Sequence, residues 1–259
     1  MKDLSNDFLC CPVCKGELDH SHRDTLPGDL PVLTCNNCSN NYIRYESYLD
    51  FLGEQGLIHN SRREKIVRSV YAKFYTPATN FMFLFCGGVR SARKEVVDQL
   101  EIHDNDTILE TGIGPGDNIP MLRKKAKNLK IFGIDIQKQM MIHCSGNMKR
   151  WKDTIYLFRA DAEQLPFRDR LFDVVFHLGA FNMFSNKQKA VDEMIRVAKP
   201  GTRIVIADES EKGNKIFNRI NGTKIEFISP DTFVPGNMLN ISLKTIWKGY
   251  GYVLAFTKP

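Results

Sequence analysis

From Ser91 onward, short apolar runs alternate with segments whose apolar residues recur every third or fourth position. The runs Thr107–Thr111, Ile131–Asp135, Ile155–Phe158, Phe172–Leu178 and Arg203–Ala207 have the length and character of strands. Between them, Arg93–Leu100, Asn118–Ala126, Gln137–Lys149 and Lys187–Val197 carry helical spacing. Strands joined by helices at such intervals predict a doubly wound parallel α/β sheet. The chain ends differently. Leu239–Trp247 and Tyr252–Thr257 are strand-like runs around Lys248-Gly249-Tyr250-Gly251, which predicts an antiparallel hairpin.

Upstream the pattern is weaker. Ile66, Val67, Val70, Tyr71 and Phe74 fall on one helical face, and Ser61 with Glu64 has the form of a capping box. The aromatic residues Phe74, Tyr75, Phe81, Phe83 and Phe85 follow, an expected apolar lid. Residues 51–60 read as a linker. The first fifty residues are polar, with only brief apolar pieces at Phe8–Leu9, Val32–Leu33 and Tyr42–Ile43. A unit of that size cannot bury enough surface to fold unaided and needs a staple. The expected organisation is a small unit over 1–55, a linker and lid over 56–90, and the α/β domain over 91–259.

Cysteine usage supplies the staple. Of 7 cysteines, five lie in the first 38 residues: Cys10, Cys11, Cys14, Cys35 and Cys38. Cys11-Pro-Val-Cys14 and Cys35-Asn-Asn-Cys38 are two CxxC turns separated by 20 residues, the spacing of a zinc ribbon. Four thiolates fill the tetrahedral shell of Zn²⁺, which leaves no position for water and makes the site structural. Cys10 is an alternative to Cys11, and His20 and His22 are loop residues rather than ligands. Cys86 and Cys144 stand alone.

The 259 residues are 42% hydrophobic and 25% charged, which excludes disorder as the main state. The longest apolar run, Phe81–Val89, is far short of the ~20 residues a membrane helix needs. Met1–Asp7 is polar and no secretory leader follows, so the expected compartment is the cytoplasm. Net charge is +6, but residues 1–60 carry −5 and the remainder +11. A basic body admits an anionic partner such as RNA, although an acidic ribbon is poorly suited to grip phosphates.

The strongest chemical signal is Ile108-Leu-Glu-Thr-Gly-Ile-Gly-Pro-Gly116. Glu110 ends a strand, and Gly112, Gly114 and Gly116 form the turn before a helix, where doubly wound sheets bind ligands. A dinucleotide loop has G-x-G-x-x-G; here Asp117 replaces the third glycine and would repel a pyrophosphate. Glu110 suits an ammonium group. Asp135, ending the next strand, is where a carboxylate takes two ribose hydroxyls. The ligand that fits is S-adenosylmethionine (SAM), a nucleoside with an amino-acid end and no phosphate.

Further motifs follow in order: Asp161-Ala-Glu-Gln-Leu-Pro-Phe167, Phe172-Asp-Val-Val175 and Glu193-Met-Ile-Arg-Val-Ala-Lys-Pro-Gly201. With them, the chain from about Arg68 onward resembles the class I SAM-dependent methyltransferases, in particular the type 11 group that includes ubiquinone/menaquinone C-methyltransferases. The resemblance implies a Rossmann-like seven-stranded sheet with a C-terminal antiparallel hairpin. It also implies that the Glu110 loop holds the methionine part, Asp135 the ribose, and Asp161 with the Ala162 amide the adenine. Tyr71 and Tyr75 are expected to close over the cofactor. Thr202 departs from the family's usual second glycine. The N-terminal ribbon resembles the tRNA-methyltransferase activator family over about fifty residues and, less closely, the ribbons of bacterial rRNA guanine methyltransferases.

The expected function is methyl transfer from SAM to a small apolar or aromatic acceptor. An rRNA or tRNA base methyltransferase is the first alternative, and a non-catalytic SAM-fold binding subunit the second. His177, at the end of the fourth strand beside the expected methyl group, is a cofactor contact and the candidate base. Asp208 and Glu209, ending the fifth, are candidate acceptor-site residues. Acceptor identity and oligomeric state stay open at this level.

Overall fold

The computed structural model describes residues 8–19, 32–53 and 88–259. The capping-box helix with Tyr71 and Tyr75, the aromatic stretch 81–85, His20, His22 and Cys86 lie outside the described residues.

The body is built as its patterning predicts. Strands β5 (Thr107–Thr111), β6 (Lys130–Asp135), β7 (Tyr156–Arg159), β8 (Val174–Leu178) and β9 (Arg203–Glu209) run parallel in the spatial order β7-β6-β5-β8-β9. The order reverses at β5, so a crevice opens at its carboxyl end. Helices α1 (Val89–Val97), α2 (Ile119–Lys125) and α3 (Lys138–Trp151) cover one face through Val96, Leu122 and Met141. Helix α4 (Lys187–Val197) covers the other through Val191 and Met194. Its start is set by Asn186, whose side chain accepts from the Lys189 amide at 3.0 Å. A further helix, α5 (Glu211–Asn221), has few buried positions and was invisible to a periodicity reading.

The terminal strands β10 (Leu239–Ile246) and β11 (Gly251–Thr257) pair antiparallel, with β11 against β9. Their details differ from the expected hairpin. The connection is a 3₁₀ turn over Trp247–Gly249, and the register is irregular between Leu239 and Ser242.

The expected seven-stranded sheet is corrected to eleven strands among the described residues. The cysteine-rich unit forms β1 (Leu18–Asp19), β2 (Val32–Cys35), β3 (Asn41–Arg44) and β4 (Leu49–Asp50), an antiparallel series. Strand β4 then pairs in parallel with β7, Leu49 against Phe158 and Asp50 against Arg159. The unit therefore continues the body's sheet and covers the edge that β7 would otherwise present.

That junction is a packed core. Phe8 and Phe51 stack toward Phe132 and Phe158 at ring separations of 5.3 and 6.4 Å. Behind them Phe132, Phe158, Phe167 and Phe172 meet largely edge to face, the arrangement ring quadrupoles favour. Backbone bonds join the two parts as well: Cys10 N–H to the Pro166 carbonyl, Arg168 N–H to that of Phe8, and Phe51 N–H to that of Arg159. Charge contacts add to it, one of them between Arg168 and the exposed Glu17 at 3.4 Å. Lys15 reaches Glu193 at 2.8 Å, and Asp50 pairs with Arg159 at 2.8 Å with both side chains buried.

Candidate active site

Glu110, Asp135, Asp161 and His177 come from the carboxyl ends of four adjacent strands or the residues just after them. They surround the crevice at the switch point.

Glu110 is 1% exposed. Its Oε1 accepts from Asn118 Nδ2 at 2.6 Å, while its Oε2 is buried without a partner. Burial pushes its pKa from 4.5 up to about 8, against the opposing pull of Asn118 and Arg93. Arg93 reaches down from α1 to Asn118 Oδ1 and Asp117, both at 3.1 Å. Asn118 and Arg93 are site residues that sequence reasoning missed. The signal available for Asn118 was its place at the entry to the helix after the glycine loop. Arg93 carried none, because only the packing of α1 against α2 brings it there.

The glycine loop is shaped by its neighbours as much as by a ligand. Gly112 has φ +72°, and a Cβ there would lie 2.9 Å from His177 Cε1. Gly116 has φ +83°, and its Cβ would lie 2.8 Å from the Cys144 sulfur of α3. Gly114 donates its N–H to Asp135 Oδ2 at 3.0 Å, and the Gln137 N–H binds Oδ1 at 2.8 Å. These bonds hold the Asp135 carboxylate at the loop, and burial pushes its pKa up to about 6. Asp161 accepts from the Glu163 N–H at 2.9 Å, which shapes the turn after β7 with Ala162.

His177 is fully buried beneath the loop. Its Nδ1 donates to the Thr111 carbonyl at 2.7 Å, so Nε2 is the bare nitrogen, and it has no partner. Burial pushes its pKa down and keeps the ring neutral. Phe184 stands against the ring at 4.9 Å. Asp208 is also buried, accepting from the backbone N–H groups of Ala180 at 3.1 Å and Asn182 at 2.6 Å. Glu209 instead faces a surface hollow.

The second constellation is sulfur. The Sγ atoms of Cys11, Cys14, Cys35 and Cys38 all lie within 4.8 Å of one another. Cys10 points elsewhere, its thiol donating to the Phe167 carbonyl at 3.1 Å. Bonds of ~2.3 Å to a tetrahedral Zn²⁺ place sulfurs about 3.8 Å apart. The pairs Cys11–Cys38 at 3.5 Å and Cys14–Cys35 at 3.4 Å are close to that, so the donor set fits the ion. Both turns are built alike. The N–H of Lys15 bonds the Cys11 carbonyl, the N–H of Ser39 that of Cys35, and Lys15 and Ser39 both have φ 59°.

Residues 108–201 match the family described as "Methyltransferase domain". Demethylmenaquinone methyltransferase of Thermotoga maritima is 33% identical over 125 residues, covering 48% of this chain and 53% of that protein. The chain thus spans about half the length of that relative. The methyltransferase-type protein YrhH of Bacillus subtilis is 30% identical over 120 residues, or 46% of this chain and 67% of that protein. Among solved structures, a chain of the complex containing the Haloferax volcanii Trm112 methyltransferase activator superposes with TM-score 0.61 at 15% identity, over 77% of this chain and 98% of that chain. Phosphoethanolamine N-methyltransferase 2 of Haemonchus contortus, solved with SAM, superposes with TM-score 0.60 at 14% identity, over 77% of this chain and 60% of that chain. No described helix is long and apolar enough to cross a membrane.

Proposed function

The chain belongs to the class I SAM-dependent methyltransferases, and we propose that it methylates a small acceptor with an apolar or aromatic body. The observation that carries the cofactor assignment is the buried, unpartnered Oε2 of Glu110 at the glycine loop. A carboxylate held there pairs with an ammonium group and repels a pyrophosphate. In this reading Glu110 holds the amino-acid end of SAM, Asp135 the ribose hydroxyls, and Asp161 and Ala162 the adenine. SAM supplies a methyl group on a sulfonium, which is already a good leaving group. The protein's part is then placement, worth about 7–11 kcal/mol of barrier. His177 serves that placement: its Nδ1–H holds the Thr111 carbonyl and its ring supports Gly112.

Zn²⁺ in the four-cysteine site is structural, since four thiolates leave it no open position. The Haloferax complex contains a separate activator. Here the cysteine-rich unit covers the sheet edge within one chain, and we assign it the role of keeping the body folded.

Calorimetry tests the cofactor half. SAM is expected to bind, NADH is not, and Asp135→Ala should weaken SAM at least 100-fold. Tight NADH binding would overturn the assignment. Incubation of a cell extract with labelled SAM tests the acceptor half: label in apolar small molecules supports it, and label in RNA replaces it.

Glu110 makes a pH prediction. Between its ordinary 4.5 and its folded value of about 8, the ligand-free folded protein keeps a proton that the unfolded chain releases. Stability should therefore fall as pH rises through that window and level off above it. Pairing with an ammonium requires the charged form, so SAM affinity should rise between about pH 6 and 7.5, by at most about tenfold per unit. The titratable groups facing Glu110 include Arg93, Asp117, Asp135 and Cys144. Glu110→Gln should flatten the profile, and a wild-type profile that is already flat would remove Glu110 from the ammonium site.

A further inference from the structure

Asp117, which stands in place of a third glycine, is tied to a cation from another helix. Its Oδ2 accepts from Arg93 Nη2 at 3.1 Å. The other arm of that guanidinium, Nη1, donates to Asn118 Oδ1 at 3.1 Å. Arg93 is only 7% exposed. A planar fork suits two acceptors side by side in a way that the point charge of a lysine does not. The backbone that carries it is fixed from outside the crevice. Trp247, in the turn between β10 and β11, donates its Nε1–H to the carbonyl of Ala92 at 3.1 Å, one residue before Arg93. Ala92, Val96 and Val97 are buried on the same helix.

The consequence falls on Asn118. A guanidinium only donates, so the amide turns its oxygen to Arg93. Its Nδ2 then faces Glu110 and donates to Oε1 at 2.6 Å. Turned about, the same amide would set an oxygen against the carboxylate, an arrangement that only a protonated Glu110 tolerates. The free oxygen, Oε2, is the one left for a ligand.

The remaining surroundings do not favour a charge on Glu110. Asp117 faces it from the loop before α2 and Asp135 from β6, and both are like-charged. Cys144 faces it from α3 with a thiol that burial keeps neutral. Strand β8 sets the apolar Phe176 in register with it. Arg93 and Asn118 are the groups that oppose desolvation there.

We propose that Arg93 is a positioning residue of the cofactor site: it holds the Asn118 amide with its nitrogen toward Glu110, and so makes that carboxylate the receptor for the ligand's ammonium group. It acts through Asn118 and touches no reacting atom. The identity of the ligand rests on the SAM reading of the crevice; the relay rests on the three contacts Asp117–Arg93, Arg93–Asn118 and Asn118–Glu110.

Two measurements test it on the full chain. In the ligand-free protein, the titration of Glu110 is followed by NMR of isotope-labelled glutamate carboxyl groups. Arg93→Met removes the charge and the donors while keeping the stem, and Asn118→Leu removes the amide. Each should raise the Glu110 midpoint by about one pH unit. Calorimetry then compares S-adenosylhomocysteine with its deamino analogue, which lacks only the amino group. The unaltered protein is expected to prefer S-adenosylhomocysteine at least tenfold, and each variant threefold or less, with affinity for the deamino analogue nearly unchanged. Combining the two substitutions should lower the preference no further than either alone, because both break one relay. A Glu110 midpoint that stays in place in the variants overturns the proposal. So does an equal loss of both ligands, as from Arg93 meeting the ligand's carboxylate or from a damaged fold. If the unaltered protein binds neither ligand, the SAM reading fails, while the Glu110 midpoint still decides the relay.

Discussion

Cys35→Ser, or stripping the metal with a chelator, should unfold far more than the small unit that carries the cysteines. Cys35 is 1% exposed on β2 and belongs to the four-sulfur group. A structural zinc site contributes on the order of 10 kcal/mol to folding, comparable with the whole stability of an average domain. Without it the two cysteine turns lose their crosslink, and strands of at most four residues hold weakly to one another. Their loss bares the β7 edge and uncovers Phe132 and Phe158, which Phe8 and Phe51 now pack against. We expect the melting temperature to fall by at least about 10 °C, given roughly 2–4 °C per kcal/mol for a chain of this size. We also expect the metal-free protein to aggregate on warming. Circular dichroism melts with and without chelator decide it. An unchanged melting curve in protein shown by elemental analysis to be free of metal would refute the edge-covering role.

The second large effect is expected at the buried pair Asp50–Arg159. Asp50 Oδ2 accepts from Arg159 Nη1 at 2.8 Å, and its Oδ1 accepts from the N–H groups of Leu52 and Gly53 at 2.9 and 3.0 Å. Arg159 also donates to the Gly53 carbonyl at 3.0 Å and, through Nε, to the Ile136 carbonyl at 3.3 Å. Asp50→Asn leaves the guanidinium buried without its counter-charge, which costs about 3–5 kcal/mol. A melting temperature roughly 10 °C lower is expected. Replacing both partners by apolar residues of similar volume should cost less than Asp50→Asn, and a double-mutant cycle measures the coupling. Ile136 follows Asp135, so Asp50→Asn should also weaken SAM by about tenfold. A loss of stability with intact SAM affinity would restrict the pair to structure.

The elements that could be read from sequence are those with local boundaries. Strand β5 and helix α4 match their expected limits, because a glycine turn ends the first and Asn186 caps the second. Strand β8 begins at Val174 rather than Phe172; the Asp173 side chain accepts from the Thr107 N–H at 2.9 Å and occupies the place of a strand residue. Helix α5 was missed because its buried positions are Gly213 and Asn214, which carry no apolar signal. Its boundaries were nonetheless written in Ser210, whose side chain accepts from the Gly213 N–H, and in the left-handed Gly222. The strand count failed for a different reason. Segments of two to four residues are too short to show a period, and nothing local to Leu49–Asp50 says which edge it will join. In the crevice, Glu110 and Asp135 were legible because they sit at strand ends. Arg93 was not, since only the packing of α1 against α2 brings it to Asn118.

The contact between Gly112 and His177 imposes an order on how this loop can change over generations. A side chain arriving first at Gly112 must adopt a left-handed backbone and also displace an imidazole 2.9 Å away. Exchange of His177 for something smaller removes the second obstacle while leaving the glycine free to stay. Histidine can therefore be lost ahead of glycine, but hardly the reverse, and descendants that keep the ring should keep the bare α-carbon opposite it.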